Sequence, residues 1–269
     1  MGIEVQITKV TFSEVIPAPA IPSLEARQAA RAEPSATPVM FQTWSNLCFL
    51  HWEWDPAEIQ KTLPPGLFVD THQGKACLAV TPFFMTDVRA SFLPEIAGTG
   101  NFLELNVRTY VYDRHGTPGV WFYSLDCNQS LAVLLAKAFY SLPYQSADME
   151  ARERSGMIEY RSHRRGTPPS DQTEIHYHRQ PETIPSPPGS LPFFLVERYV
   201  LFAWASRAKR LYTARVSHMP YDLFHVNVGR FDDAMLRLNG FNSRLRRPDH
   251  CAFASPVRVK IYALEVVPA

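Results

Sequence analysis

Residues 101–149, NFLELNVRTYVYDRHGTPGVWFYSLDCNQSLAVLLAKAFYSLPYQSADM, constrain the fold most. Leu103, Leu105, Val107, Thr109 and Val111 alternate with Phe102, Glu104, Asn106, Arg108 and Tyr110. Such period-two alternation over ten residues indicates a strand with one apolar and one polar face. Gly116, Pro118 and Gly119 mark a turn. Val120 to Cys127 then forms a second strand, with Trp121, Tyr123 and Leu125 on one side and Ser124 and Asp126 on the other. Faces must match across a hairpin, because a one-residue slip flips every side chain. That rule places Arg108 opposite Ser124 and Asn106 opposite Asp126. Glu104, Asn106, Arg108, Ser124 and Asp126 then share one polar surface.

Two readings of that surface stay open on pattern alone. One is a solvated face of an antiparallel sheet packed on its other side. The other is the polar lining of a pocket inside a closed barrel. Glu104 and Arg108 lie four residues apart on a strand, about 13 Å along the backbone. Each therefore needs a different partner, or a ligand.

The chain has 269 residues, 46% of them hydrophobic, with 17 Phe, 11 Tyr and 5 Trp, enough for a substantial core. A net charge of +1 gives no general pull toward nucleic acid or an anionic membrane. Cys48, Cys77, Cys127 and Cys251 are widely spaced and form no C-x-x-C, so reduced core thiols are expected. No signal peptide and no apolar run of membrane-spanning length is read, which makes the cytoplasm the expected location.

Ile3, Val5 and Ile7 suggest a short strand, and residues 16 to 39 are rich in Ala and Pro, with a short helix over Ser23 to Ala32. Residues 1–40 are read as an arm or linker, with a partner subunit as one destination for an arm. Residues 41–269 are read as one domain. Asp55-Pro56 starts a helix that ends before Pro64. Cys77 to Phe84 reads as a strand continued through Asp87 to Arg89. Asn128 caps a helix with Leu131, Leu134, Leu135 and Ala138 on its buried stripe and Lys137 off it. Met157 to Arg161 and Thr173 to His178 are strands, and Pro181 to Pro192 is a long connection. Phe193 to Trp204 and Leu211 to Val216 form a second hairpin, and a helix spans Asp232 to Leu238. Val257, Val259 and Ile261 close the chain as a strand. Many strands, few helices and no βαβ rhythm imply a mainly antiparallel α+β fold.

Few motifs carry chemistry. Glu174, His176 and His178 share a strand face, and an H-x-H pair on a strand can chelate a metal, but spacing identifies no further ligand to join them. His51 and His218 read as structural histidines. Gly98-Thr99-Gly100 opens a strand and lacks a third glycine, so it is no dinucleotide loop. The signatures of common serine hydrolases, zincins and P-loop NTPases do not occur. No cofactor and no metal is expected.

WSNLCFLHWEWDP, LPPGLFVDT, ELNVRTYV, GVWFYSLD, LPYQSADM, FLVERYVLF and HMPY, within residues 41 to 222, resemble the YqjF-like family of unknown function. That family is similar in fold to acetoacetate decarboxylase, which implies a closed, cone-like β-barrel with a few peripheral helices and a central pocket. The resemblance favours the pocket reading of Glu104. Acetoacetate decarboxylase uses a lysine that forms a Schiff base, placed after a proline in a Gly-Phe-Pro-Lys-Lys corner. Here the corner is Leu142-Pro143-Tyr144-Gln145, and tyrosine forms no imine. The resemblance therefore implies a pocket for a small organic acid without that chemistry. Glu104 and Tyr144 are the expected catalytic groups; Arg108, Asn106, Ser124 and Asp126 are the expected ligand-binding ones. A non-catalytic protein, structural or homo-oligomeric, is the alternative.

Overall fold

Asn46, at φ 52°, separates the first two strands; asparagine tolerates that left-handed conformation better than most residues. The computed structural model describes residues 19–92, 100–129, 142–243 and 246–268. The strands are β1 (Met40–Ser45), β2 (Leu47–Trp54), β3 (Leu67–Val69), β4 (Ala76–Ala90) and β5 (Phe102–Asp113). They continue as β6 (Pro118–Cys127), β7 (Tyr144–Arg154), β8 (Met157–Arg164), β9 (Thr173–Ile184) and β10 (Val200–Ala205). The last five are β11 (Arg210–Ser217), β12 (Leu223–Phe231), β13 (His250–Ala254), β14 (Val257–Ile261) and β15 (Glu265–Val266).

All belong to one sheet, in the order β1-β14-β11-β10-β6-β7-β8-β9-β12-β13-β2-β4-β5-β3, with β15 on β11. Two further pairings, β1 with β4 and β5 with β6, join strands far apart in that order. The sheet is mixed: β6 runs parallel to both β7 and β10, and the other pairings are antiparallel.

The long strands β4 and β5 are buried on both faces. Leu78, Val80, Leu105 and Val107 pack into one core with Trp52, Tyr160 and Tyr177. Ala79, Phe83, Met85 and Tyr110 face a second core with Phe49, Phe194 and Val216. Alternation on β5 therefore separates two interiors, not core from water. Glu104 and Asn106 are 3% and 4% exposed, which overturns the solvated-face reading.

Four short helices accompany the sheet among the described residues: α1 (Leu24–Ala29), α2 (Pro56–Gln60), α3 (Leu191–Val196) and α4 (Ala234–Leu238). The Asp55 carboxylate accepts from the Ala57 N–H at 2.8 Å and Pro56 fills the first turn, as the sequence indicates. Strand β9 runs on to Ile184, so the proline-rich connection is shorter than expected, and Phe193–Val196 is helical where a strand was expected. The hairpin proper begins at Val200. Strand β7 was not anticipated: its outer half is charged and exposed, which hides the alternation.

The expected helix from Leu131 to Ala138, Lys137 upon it, and the strand at Ile3 to Ile7 lie outside the described residues. Residues 19–39 lie along their own chain. Arg27 makes a two-pronged hydrogen bond to Asp70, at 2.6 and 2.7 Å, and Arg215 donates to the Ala30 and Ala32 carbonyls. Among the described residues, no helix is long and apolar enough to cross a membrane.

Candidate functional site

The antiparallel register sets Thr81 of β4 beside Asn106 of β5, and Asn106 beside Leu125 of β6. The parallel pairing of β6 with β7 then sets Leu125 beside Tyr144. These four side chains form a row across the sheet on one face. Glu104 and Arg108, two positions either side of Asn106, share it. All six, with Arg198, border a cavity of about 130 Å³.

The Tyr144 hydroxyl donates to Glu104 Oε2 at 2.8 Å, and the Tyr160 hydroxyl donates to the Glu104 carbonyl at 2.8 Å. Backbone and side chain of Glu104 are both fixed. Burial raises its carboxyl pKa to about 7; the Tyr144 and Asn106 hydrogen bonds and the Arg108 charge oppose that shift without cancelling it. Burial, followed by the neighbouring Glu104 charge, pushes the Tyr144 phenol well above its ordinary range, so it stays a donor.

Arg108 stands 5.2 Å from the Phe49 ring centroid and 5.9 Å from that of Tyr110. Its Nε is buried with no hydrogen-bond partner, and it enters no ion pair among the described residues. Arg198 follows α3. Its Nε donates to the Phe194 carbonyl and its Nη1 to Asp70 Oδ2, both at 2.8 Å, while Nη2 is left over. Thr81 Oγ1 and Asn106 Oδ1 likewise have no partner among the described residues, so four such polar atoms belong to residues of one cavity wall. Each such atom costs on the order of 1–3 kcal/mol when buried unsatisfied. Their clustering marks a place that water or a polar ligand would fill.

Glu104, Asn106, Arg108 and Tyr144 thus converge, while Ser124 and Asp126 do not join them. A bulge makes Val107 pair with Ser124 and Arg108 with Phe122, leaving Tyr123 as the extra residue. Asp126 therefore sits opposite Leu105, not Asn106. It binds Arg164 at 2.7 Å, and Ser124 accepts from Asn239 at 2.9 Å. The same slip brings Leu125 onto the cavity side, where Phe122, opposite Arg108, also lies. Sequence reasoning also missed Thr81 and Arg198. The available signal for Arg198 was a charged residue inside the apolar run Phe193 to Phe202.

The other candidates have partners elsewhere. Glu174 is held by His176 at 2.8 Å and by Arg161 and Arg230 at 3.0 Å each. No cluster of three metal-ligating side chains occurs among the described residues. His51 Nε2 lies 2.7 Å from the Tyr110 hydroxyl, and burial, followed by the Arg108 charge, keeps the ring neutral at pH 7. His218 stacks on Tyr199 and sits against Tyr221 and Trp44. The four cysteines are free thiols, and burial pushes Cys77 and Cys251 up to about 12.

A family model described as "uncharacterized conserved protein", DUF2071, matches residues 41–258. Uncharacterized protein YqjF of Bacillus subtilis (strain 168) is 37% identical over 187 residues, covering 68% of this chain and 74% of YqjF. The acetoacetate decarboxylase of Legionella pneumophila subsp. pneumophila str. Philadelphia 1 matches with a TM-score of 0.60 at 10% identity, over 94% of this chain and 98% of that one. The enduracididine biosynthesis enzyme MppR, complexed with pyruvate, matches with a TM-score of 0.58 at 14% identity, over 87% and 92%. Identities this low show the fold alone. The chain belongs to the YqjF-like DUF2071 family of uncharacterized conserved proteins, built on the acetoacetate decarboxylase-like fold.

Proposed function

We propose that this protein holds a small organic acid, an oxo acid by preference, in a pocket inside a closed, cone-like β-barrel. The barrel reading is supported by β1, which pairs with both β14 and β4, and by the β5–β6 pairing. Together they make β1, β14, β11, β10, β6, β5 and β4 a ring of hydrogen-bonded neighbours around the cavity. The observation that carries the functional reading is Glu104, buried with a pKa of about 7, bonded to Tyr144 and sharing its strand face with Arg108.

In this reading Arg108 receives the ligand's carboxylate, its one guanidinium charge otherwise unanswered by an ion pair. Glu104, near half ionised at neutral pH, takes or returns a proton at the carbon beside the oxo group. The spare Nη2 of Arg198 supplies a donor toward developing negative charge, while the Tyr144 hydroxyl holds the Glu104 carboxyl in place. MppR, of like fold, is complexed with pyruvate, which supports the oxo-acid class. Amine catalysis is not part of the proposal: Tyr144 stands at the corner where the fold relative has its lysine, and no described wall residue is a lysine.

Thermal-shift screening with organic acids tests the reading, because a ligand that binds only the folded form raises the midpoint. Oxo acids are expected to raise it, and borohydride added with acetoacetate is expected to leave no covalent adduct by mass spectrometry. A flat response to every acid would count against the pocket; an adduct would restore the imine route.

A further inference from the structure

Resting on that pocket reading, we infer that the ligand is a monocarboxylate with a branched or aromatic apolar tail, and not a short acid of pyruvate's size. The two sides of the cavity differ in chemistry. Strands β4 and β5 present Thr81, Glu104, Asn106 and Arg108 beside the apolar Phe83 and Met85. Across the ring, β10, β11 and β14 present only Val200, Leu201, Val216 and Ile261. On β1, Trp44 Nε1 donates to Gln42 Oε1 at 2.7 Å, and Gln42 Nε2 donates to Met40 Sδ at 3.0 Å. That glutamine is occupied within its own strand, so Met40 and Trp44 extend the apolar side.

Apolar lining that a ligand leaves uncovered forfeits dispersion energy, and beyond its oxo-acid group pyruvate offers that side a single methyl. Charge decides between one carboxylate and two. Arg198 shares Asp70 with Arg27, at 2.8 and 2.6 Å, whereas Arg108 enters no ion pair among the described residues. One anionic group satisfies the wall; a second would have to be placed against valine, leucine and isoleucine.

The test is a calorimetric series on the intact chain at pH 7: pyruvate, 2-oxobutyrate, 2-oxopentanoate, 4-methyl-2-oxopentanoate and phenylpyruvate, with 2-oxoglutarate as the dicarboxylate. Affinity is expected to rise roughly fourfold per added methylene, the ~0.8 kcal/mol of a buried CH₂ at about 1.4 kcal/mol per decade. 2-Oxoglutarate should bind more weakly than 2-oxopentanoate. Val216→Phe, which fills the apolar side, should abolish the advantage of the longer acids over pyruvate. Pyruvate binding as tightly as the longer acids, or 2-oxoglutarate binding tightest, overturns the tail inference and leaves the pocket standing. If no acid in the series binds, the pocket reading falls with it.

Discussion

Asp70→Ala is expected to destabilise the fold by about 3–5 kcal/mol, the usual result of removing one partner from a buried ion pair. Asp70 is fully buried between two guanidiniums, Arg27 at 2.6 Å and Arg198 at 2.8 Å, whose side chains are 12% and 3% exposed. Without the carboxylate, Arg198 stays buried with its charge uncompensated. Arg27 is nearer solvent, so Arg27→Ala should cost much less. Burial alone would raise the Asp70 carboxyl, but the charges and hydrogen bonds of Arg198 and Arg27 outweigh it and hold the group below its ordinary value. The sign follows: this stability is present above the unfolded-state value and is lost as pH falls through the folded-state one. Urea titration of wild type and variant at pH 7 measures the loss. A change below about 1 kcal/mol would mean that Asp70 does not anchor Arg198 at the cavity. The same replacement should weaken ligand binding, because Arg198 is a wall residue.

The second large effect is Glu104→Gln, and it has the opposite sign. A buried carboxyl with a folded-state pKa of about 7 binds its proton more tightly folded than unfolded, where the ordinary value is 4.5. Stability is therefore full below the unfolded value and falls as pH rises through 7. One pKa unit corresponds to about 1.4 kcal/mol, so this group alone removes on the order of 3 kcal/mol across that window. Glutamine has no such titration and still offers Tyr144 an acceptor. The variant should match wild type near pH 4.5, exceed it by up to about 3 kcal/mol at pH 8, and lose turnover of any acid that the protein transforms. Denaturant midpoints at five pH values would show the two curves diverging. Parallel curves would mean that Glu104 titrates normally and is poorly suited to proton transfer near neutrality.

Much of the scaffold was legible because it rests on local physics. The Asp55-Pro56 cap, the strand from Phe102, the hairpin of β10 and β11, and the Ala234–Leu238 helix all follow from propensity and spacing. What was not legible is non-local. Alternation could not decide between a wet face and a pocket lining, whereas in the structure β5 separates two cores. The bulge at Tyr123 flips Ser124 and Asp126 away from the cavity, and nothing in VWFYSLDC announces it. Parallel pairing of β6 with β7 brings Tyr144 to Glu104 across forty residues of sequence, a contact that no periodicity encodes. Arg198 enters from the end of a helix where a strand was expected. The family resemblance supplied the interior that alternation could not.

The central claim is that Arg108 receives an organic carboxylate in this cavity. Calorimetric titration of 4-methyl-2-oxopentanoate into wild type and Arg108→Met at pH 7 tests it most directly. Methionine keeps much of the apolar stem over Phe49 and removes the charge. The account predicts saturable binding at one site per chain, weakened by roughly 10- to 100-fold in the variant, as befits a hydrogen bond to a charged group worth about 1.5–3 kcal/mol. Equal affinity in the two proteins, both folded, would contradict it.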